Sequence, residues 1–228
     1  MVWDHVDWVR FPALRPMNFT NKKSNSWLII IAFLLFFGAI IFGVKGENYI
    51  LTADLYVNNF IPSIRSVFLD YFFIGISYFG KWEVVAILAI LVAIIWVRKK
   101  KWNYVLFLAS SLLGAEILVW VMKHLIQRVR PPFSQAIVLE DGFSFPSGHS
   151  TLAMAFLGTL IFISWDFFQE IKKKKSIVYG LAVVIILVGF SRIYLGVHWL
   201  SDVLASYFLG VAVVLLVREI LKLTKNKE

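Results

Sequence analysis

Two of the four histidines, one aspartate and a group of cations carry the reactive chemistry of this chain, in three short segments. The last of these is Ser191-Arg192-Ile193-Tyr194-Leu195-Gly196-Val197-His198-Trp199-Leu200-Ser201-Asp202. It places a guanidinium, an imidazole and a carboxylate within eleven positions, between two apolar runs. On a helix, the four-residue interval from His198 to Asp202 puts both side chains on one face. A carboxylate held against one imidazole nitrogen fixes the tautomer and raises the basicity of the other. That arrangement prepares a nucleophile or a general base. Arg192 offers a planar fork suited to phosphate oxygens. Taken alone, the segment also reads as polar residues snorkelling at a membrane boundary.

The first segment is Lys123-His124-Leu125-Ile126-Gln127-Arg128-Val129-Arg130-Pro131-Pro132. Lys123 and Arg130 are two helical turns apart and are expected to point the same way, with Pro131-Pro132 ending the helix. Cations at a helix end also simply suit its dipole. The middle segment is Ser144-Phe145-Pro146-Ser147-Gly148-His149-Ser150. Ser147 is a natural N-cap, Gly148 lets a ligand approach the backbone, and the free N–H groups of a helix start bind anions. His149 has no carboxylate close by in sequence, so a neutral imidazole is expected until an anion arrives. That suits a general acid; a plain cap with an incidental histidine is the simpler reading. His198 and Asp202 are expected to open the last helix, which brings a second positive helix end to the same place.

Three cations, two helix N-termini, one carboxylate-paired histidine and one free histidine together suit a phosphate monoester or pyrophosphate. Phosphoryl transfer asks the protein mainly to position groups and neutralise charge. In the expected reaction His198 attacks phosphorus to give a phosphohistidine, and His149 protonates the leaving oxygen. Water then attacks with His149 as base. The cations take the part of Mg²⁺, so neither metal nor cofactor is expected. In a metal-hydrolase alternative His149, His198 and Asp202 would be ligands with one water, but three cations in the same pocket would repel a divalent ion.

The elements that position these residues are apolar. The chain has 228 residues, 60% of them hydrophobic and 16% charged, with a mean hydropathy of +0.77. Soluble domains are nearer 45–50% apolar, so this is read as an integral membrane protein. The lack of cysteine excludes disulfides, thiolate nucleophiles and thiolate metal sites. A net charge of +9 would suit nucleic acid, but most Lys and Arg flank apolar runs, so no nucleic-acid partner is expected. No small-residue cleavage site follows the first apolar run, and no cleavable signal peptide is expected.

The expected fold is all-α: a six-transmembrane-helix bundle over 27–221, with interfacial helices between spans 1 and 2. The spans fall at 27–44, 82–97, 102–122, 150–168, 176–190 and 202–221. In 45–81 the apolar stretches are broken by Asp54, Pro62, Arg65, Asp70, Gly75 and Gly80. Segments 50–60 and 66–79 read as helices along or dipping into the interface, with an extra membrane segment at 66–79 as the alternative. Residues 1–26 read as an irregular cytoplasmic segment, whose Trp3, Trp8 and Phe11 could instead dip into headgroups. A natural-looking start at Met17 makes 1–16 an expected artificial addition. Residues 222–228 read as a cytoplasmic tail. Sixteen basic residues fall on the side of the termini and seven on the other, which puts both termini in the cytoplasm and the site outside. A transporter would carry ionisable residues deep in its spans. Glu116 is the exception here, and a hydrogen bond to a neighbouring helix is its simplest use.

Lys123-x6-Arg130-Pro131, Pro146-Ser147-Gly148-His149 and Ser191-Arg192-x5-His198-x3-Asp202 resemble the three signature motifs of the type 2 phosphatidic acid phosphatase superfamily. The six-span layout is similar to its membrane lipid-phosphatase branch, and the chain resembles bacterial enzymes of the phosphatidylglycerophosphatase B type. The resemblance implies His198 as nucleophile, Asp202 as its orienting partner and His149 as acid. It implies phosphate binding by Lys123, Arg130, Ser147, Gly148 and Arg192. It also implies a bacterial cell membrane and a lipid phosphate substrate, with no protein partner. Phosphatidylglycerophosphate is the first expectation and undecaprenyl pyrophosphate the second; phosphatidic acid and diacylglycerol pyrophosphate stay open. The motifs read only the phosphate and do not separate these lipids.

Overall fold

The computed structural model describes residues 26–46, 49–167 and 170–225. The readings of 1–16 as an addition and of Trp3, Trp8 and Phe11 at the headgroups lie outside these residues, as does the tail beyond Lys225. The described residues form eight α-helices: α1 Ser26–Lys45, α2 Tyr49–Phe60, α3 Val67–Ser77, α4 Trp82–Arg98, α5 Trp102–Ile126, α6 Gly148–Phe167, α7 Ile171–Tyr194 and α8 Leu200–Lys225.

Apolar length decides which of them cross a bilayer. About 20 residues span the hydrocarbon, and α1, α5, α6, α7 and α8 are each long and apolar enough. The remaining crossing is broken. The segments Val67–Gly80 and Trp82–Arg98 pass the same test only together, and they meet at a bend of 55°. The α3 helix, at 11 residues, therefore adds no separate crossing and packs against α7. The architecture is an all-α six-span bundle.

α6 runs through the middle, against α5, α7 and α8, while α1 packs on α8. One apolar cluster joins Phe37, Phe107, Phe145, Leu209 and Val213. A second joins Ile61, Phe73, Tyr194, Leu195, Val197 and Val203, directly beneath the reactive segment. Outward faces carry large apolar side chains such as Leu35, Phe42, Ile90 and Ile186, as a surface solvated by lipid requires. Glu116 also lies on an exposed face of α5 and does not pack into the bundle.

Several local expectations are corrected. α5 stops at Ile126 because Gln127 takes a left-handed conformation, φ +52, and returns its N–H to the Lys123 carbonyl at 3.0 Å. Arg130 thus lies beyond the helix, and its alignment with Lys123 does not come from helical spacing. The fifth span's helix starts before 176, with Lys172–Lys175 in the first turns of α7. His198 precedes α8, while Asp202 lies in its first turn. The pair meets across a helix start and not along a helix face.

The segment carrying His198 turns at Gly196, where φ is +74 and an added Cβ would sit 2.4 Å from the Gln135 carbonyl oxygen. Both the backbone conformation and the space exclude a side chain. Gly196→Ala is expected to cost about 1–3 kcal/mol and to lower the melting temperature of the detergent-solubilised protein. Melting unchanged from wild type would show that the turn relaxes freely.

Candidate active site

The last turn of α7, the segment 195–199 and the first turn of α8 bring Arg192, His198 and Asp202 together. The His198 side chain is 1% exposed and that of Asp202 is fully buried. His198 Nδ1 stands 3.4 Å from Asp202 Oδ2. On the other side of the ring, Nε2 lies 3.2 Å from Nη1 of Arg130. A guanidinium has no acceptor atom, so Nε2 must accept, and the ring proton belongs on Nδ1, facing the carboxylate. The lone pair of Nε2 therefore points into the site.

Arg130 is fixed by the loop backbone, donating to the carbonyls of Asp141 at 3.0 Å, Gly142 at 3.0 Å and Val197 at 2.8 Å. Arg192, 2% exposed, donates to the Ser77 hydroxyl of α3 and to Glu140. Lys123 donates to the Phe143 carbonyl and is within electrostatic reach of Arg130, Arg192, Glu140 and Asp202.

A carboxylate occupies the point where these groups converge. Glu140, from the long loop between α5 and α6, pairs with Arg192 through Oε1 and with Arg130 through Oε2 at 3.1 Å. The same carboxylate lies 3.7 Å from His198 Nε2 and 4.0 Å from His149 Nδ1. Burial alone would push its carboxyl group up. The Arg192 guanidinium paired with it outweighs burial and holds it below the usual carboxylate range. Glu140 is thus held in its ionised form by the guanidinium it pairs with. Its pairing is lost only as pH falls through that depressed value. His149, without a carboxylate neighbour in sequence, acquires one in space.

Ser147 caps α6: its Oγ accepts the Ser150 N–H at 3.4 Å and the Ser150 hydroxyl at 2.9 Å. That hydroxyl is engaged within the first turn of the helix. Gly148 and His149 hold the first positions of α6, where backbone N–H groups lack intrahelical partners. The start of α8 is different from expectation. Asp202 accepts the Trp199 N–H at 2.9 Å, and Asp54 of α2 accepts the Ser201 N–H at 2.9 Å. Carboxylates of the chain itself occupy this helix end, so of these two starts that of α6 is the one offered to an anion.

Beside the convergence point lies a cavity of about 270 Å³, with Ser77, Tyr78, Lys81, Glu140, His149 and Arg192 in its wall. The turn between α3 and α4 closes tightly on His149. An added Cβ at Gly80 would lie 2.7 Å from the His149 carbonyl oxygen. Sequence reasoning missed Glu140, Arg128 and Asp54. Arg128 was visible as one of seven cations against the charge bias. Asp54 was visible as a charge in an apolar stretch. Glu140 carries no spacing signal.

The profile of the PAP2 superfamily matches residues 104–224, and the chain belongs to that family. It is 33% identical over 191 residues to Phosphatidylglycerophosphatase B of Bacillus subtilis, covering 82% of this chain and 92% of that protein. It is 26% identical over 194 residues to the Undecaprenyl-diphosphatase of Sulfolobus acidocaldarius, covering 83% and 87%. The crystal structure of a transmembrane PAP2 type phosphatidylglycerolphosphate phosphatase from Bacillus subtilis superposes with a TM-score of 0.77. That match has 30% identity and covers 84% of this chain and 94% of the other. The chain is a membrane lipid phosphatase, a phosphoric monoester hydrolase.

Proposed function

We propose that this enzyme hydrolyses the terminal phosphomonoester of phosphatidylglycerophosphate to phosphatidylglycerol through a phosphohistidine on His198. The observation that carries the mechanism is the direction of His198 Nε2. Its lone pair faces the point where Arg130, Arg192 and His149 converge, with Asp202 behind the ring. A phosphoryl group at that point takes the place of the Glu140 carboxylate. Arg130, Arg192, Lys123 and the Gly148 and His149 amides neutralise its oxygens, and Ser147 serves by starting the helix that presents those amides. His198 attacks phosphorus in line, and the P–O bond to the lipid breaks. His149 delivers its proton to the departing alkoxide, then takes one from the water that cleaves the phosphorus–nitrogen bond.

No metal is needed, since a divalent ion on His198 would compete with Arg130 for one lone pair beside a second guanidinium. The cavity next to His149 leaves room for the departing lipid head. The 33% identity to Phosphatidylglycerophosphatase B over most of both chains supports the substrate. Undecaprenyl pyrophosphate is the second reading, supported by the Undecaprenyl-diphosphatase match. Lys81, in the cavity wall with its side chain 46% exposed, suits either lipid, because both leave with an anionic phosphate. The charge bias supports cytoplasmic termini and a site on the outer face of the cell membrane.

Purified protein in EDTA is expected to release phosphate from phosphatidylglycerophosphate faster than from undecaprenyl pyrophosphate or phosphatidic acid. Release should vanish with His198→Ala. It should fall about 10²–10⁴-fold with His149→Ala and on the order of 10⁴-fold with Asp202→Asn. Activity that needs added metal, or that survives His198→Ala, would overturn the mechanism; a different order of lipids would overturn the substrate. Glu140→Gln, which keeps the shape and removes the charge, is expected to lower the inhibition constant of inorganic phosphate about tenfold. That follows from the weaker hold of a neutral acceptor on two guanidiniums. A higher constant would show that Glu140 does not compete with phosphate.

A further inference from the structure

Asp54 is a buried residue of α2, a helix whose apolar side chains Leu51, Leu55, Tyr56 and Phe60 are exposed. A helix on a membrane surface normally seats itself by apolar side chains; this one sends a carboxylate, 1% exposed, into the bundle. Asp54 Oδ2 accepts Arg128 Nη2 at 2.6 Å and the Ser201 hydroxyl at 2.6 Å, and Oδ1 accepts the Ser201 N–H at 2.9 Å. The other end of the same guanidinium, Nη1, donates to Asp202 Oδ1 at 2.5 Å and to the Ser201 hydroxyl at 2.8 Å. The Arg128 fork also lies over the Trp199 ring, 5.4 Å from its centroid.

The consequence is a division of labour between the oxygens of Asp202. Oδ1 belongs to Arg128, and Oδ2 takes the Trp199 N–H and faces His198 Nδ1. Two buried carboxylates and one guanidinium form a chain in which no charge lacks a partner. Without Arg128, the carboxylate of Asp202 is free to turn, and Oδ2 no longer has one fixed address. Without the charge of Asp54, Arg128 loses the contact that aims its fork.

We infer that Arg128 and Asp54 are positioning residues for the His198–Asp202 pair, so that the surface helix α2 sets the orientation of the catalytic imidazole through a charge chain. The inference rests on His198 being the nucleophile. Neither residue is among those that face Glu140, so binding of phosphate is left to Arg130, Arg192 and Lys123.

The test compares kcat, KM and inhibition by inorganic phosphate for wild type, Arg128→Gln, Arg128→Lys, Asp54→Asn and the Arg128→Gln/Asp54→Asn double variant. The substrate is whichever of the three lipids the wild type turns over fastest, with His198→Ala as control. Arg128→Gln and Asp54→Asn are expected to lower kcat between about ten- and a hundredfold, the range typical of outer-shell groups that orient a functional histidine through another residue. KM and the phosphate inhibition constant should stay within about twofold, a split that damage to the whole site would not give. Arg128→Lys should recover part of kcat by restoring the charge. The double variant should be no slower than Arg128→Gln alone, since Asp54 acts through Arg128. Wild-type kcat in both single variants overturns the inference, as does parallel loss of kcat and phosphate affinity. If Arg128→Gln does not fold, Asp54→Asn and Arg128→Lys carry the same comparison. A wild type whose activity survives His198→Ala instead removes the nucleophile itself, and this inference with it.

Discussion

Arg130 and Arg192 aim two guanidiniums at one spot inside a lipid-embedded protein, with two histidines facing the same spot. Like charges at close range in a poorly screened interior repel strongly, so the arrangement holds together only with an anion at its centre. Glu140 supplies one from the loop between α5 and α6. Much else in the structure serves this convergence. The loop carbonyls of Asp141, Gly142 and Val197 fix Arg130, Ser77 fixes Arg192, and Phe143 receives Lys123. A phosphate dianion fits the same demand better than a carboxylate, since it has more oxygens and more charge to share among the same donors. Binding of substrate is then an exchange of one anion for another, and the cations do not need to reorganise.

Each reactive segment owes its place to a local interruption of helix. Gln127 ends α5 in a left-handed turn and frees Arg130 to swing across to His198. Gly196 allows the tight return that lifts His198 ahead of α8. The bend between α3 and α4 brings Gly80 against the His149 backbone, so a broken span, and not a straight one, borders the site. The α2 and α3 helices are fastened to this end of the bundle by polar contacts. Arg65 donates to the Gln135 and Tyr194 carbonyls at 2.7 and 2.9 Å, and the Tyr194 hydroxyl donates to Asp70 at 2.7 Å. The charges that interrupt the apolar stretches of 45–81 are thus the latches that hold this segment to the catalytic loop.

The apolar runs made the bundle legible, because length and hydropathy alone determine which segments cross a bilayer. The motif spacing also singled out His149, His198, Asp202, Arg130 and Arg192 as candidates, and the structure brings these side chains to one place. The reason assigned to some of these meetings was wrong. His198 and Asp202 meet across a helix start, and Lys123 and Arg130 approach through a loop, because helix ends are set by caps that periodicity does not reveal. Glu140, Arg128 and Asp54 were not legible as site residues. Their partners lie up to 147 positions away, as between Asp54 and Ser201. Nothing local in the sequence encodes such a contact.

The central claim is that His198 carries the phosphoryl group. The most direct test is rapid base quenching during turnover of phosphatidylglycerophosphate labelled with ³²P in its terminal phosphate, followed by peptide mapping. Phosphohistidine withstands base and is lost in acid. The account predicts base-stable, acid-labile label on the peptide containing His198, and none in His198→Ala. Turnover with no labelled protein, or label on the His149 peptide, would contradict it.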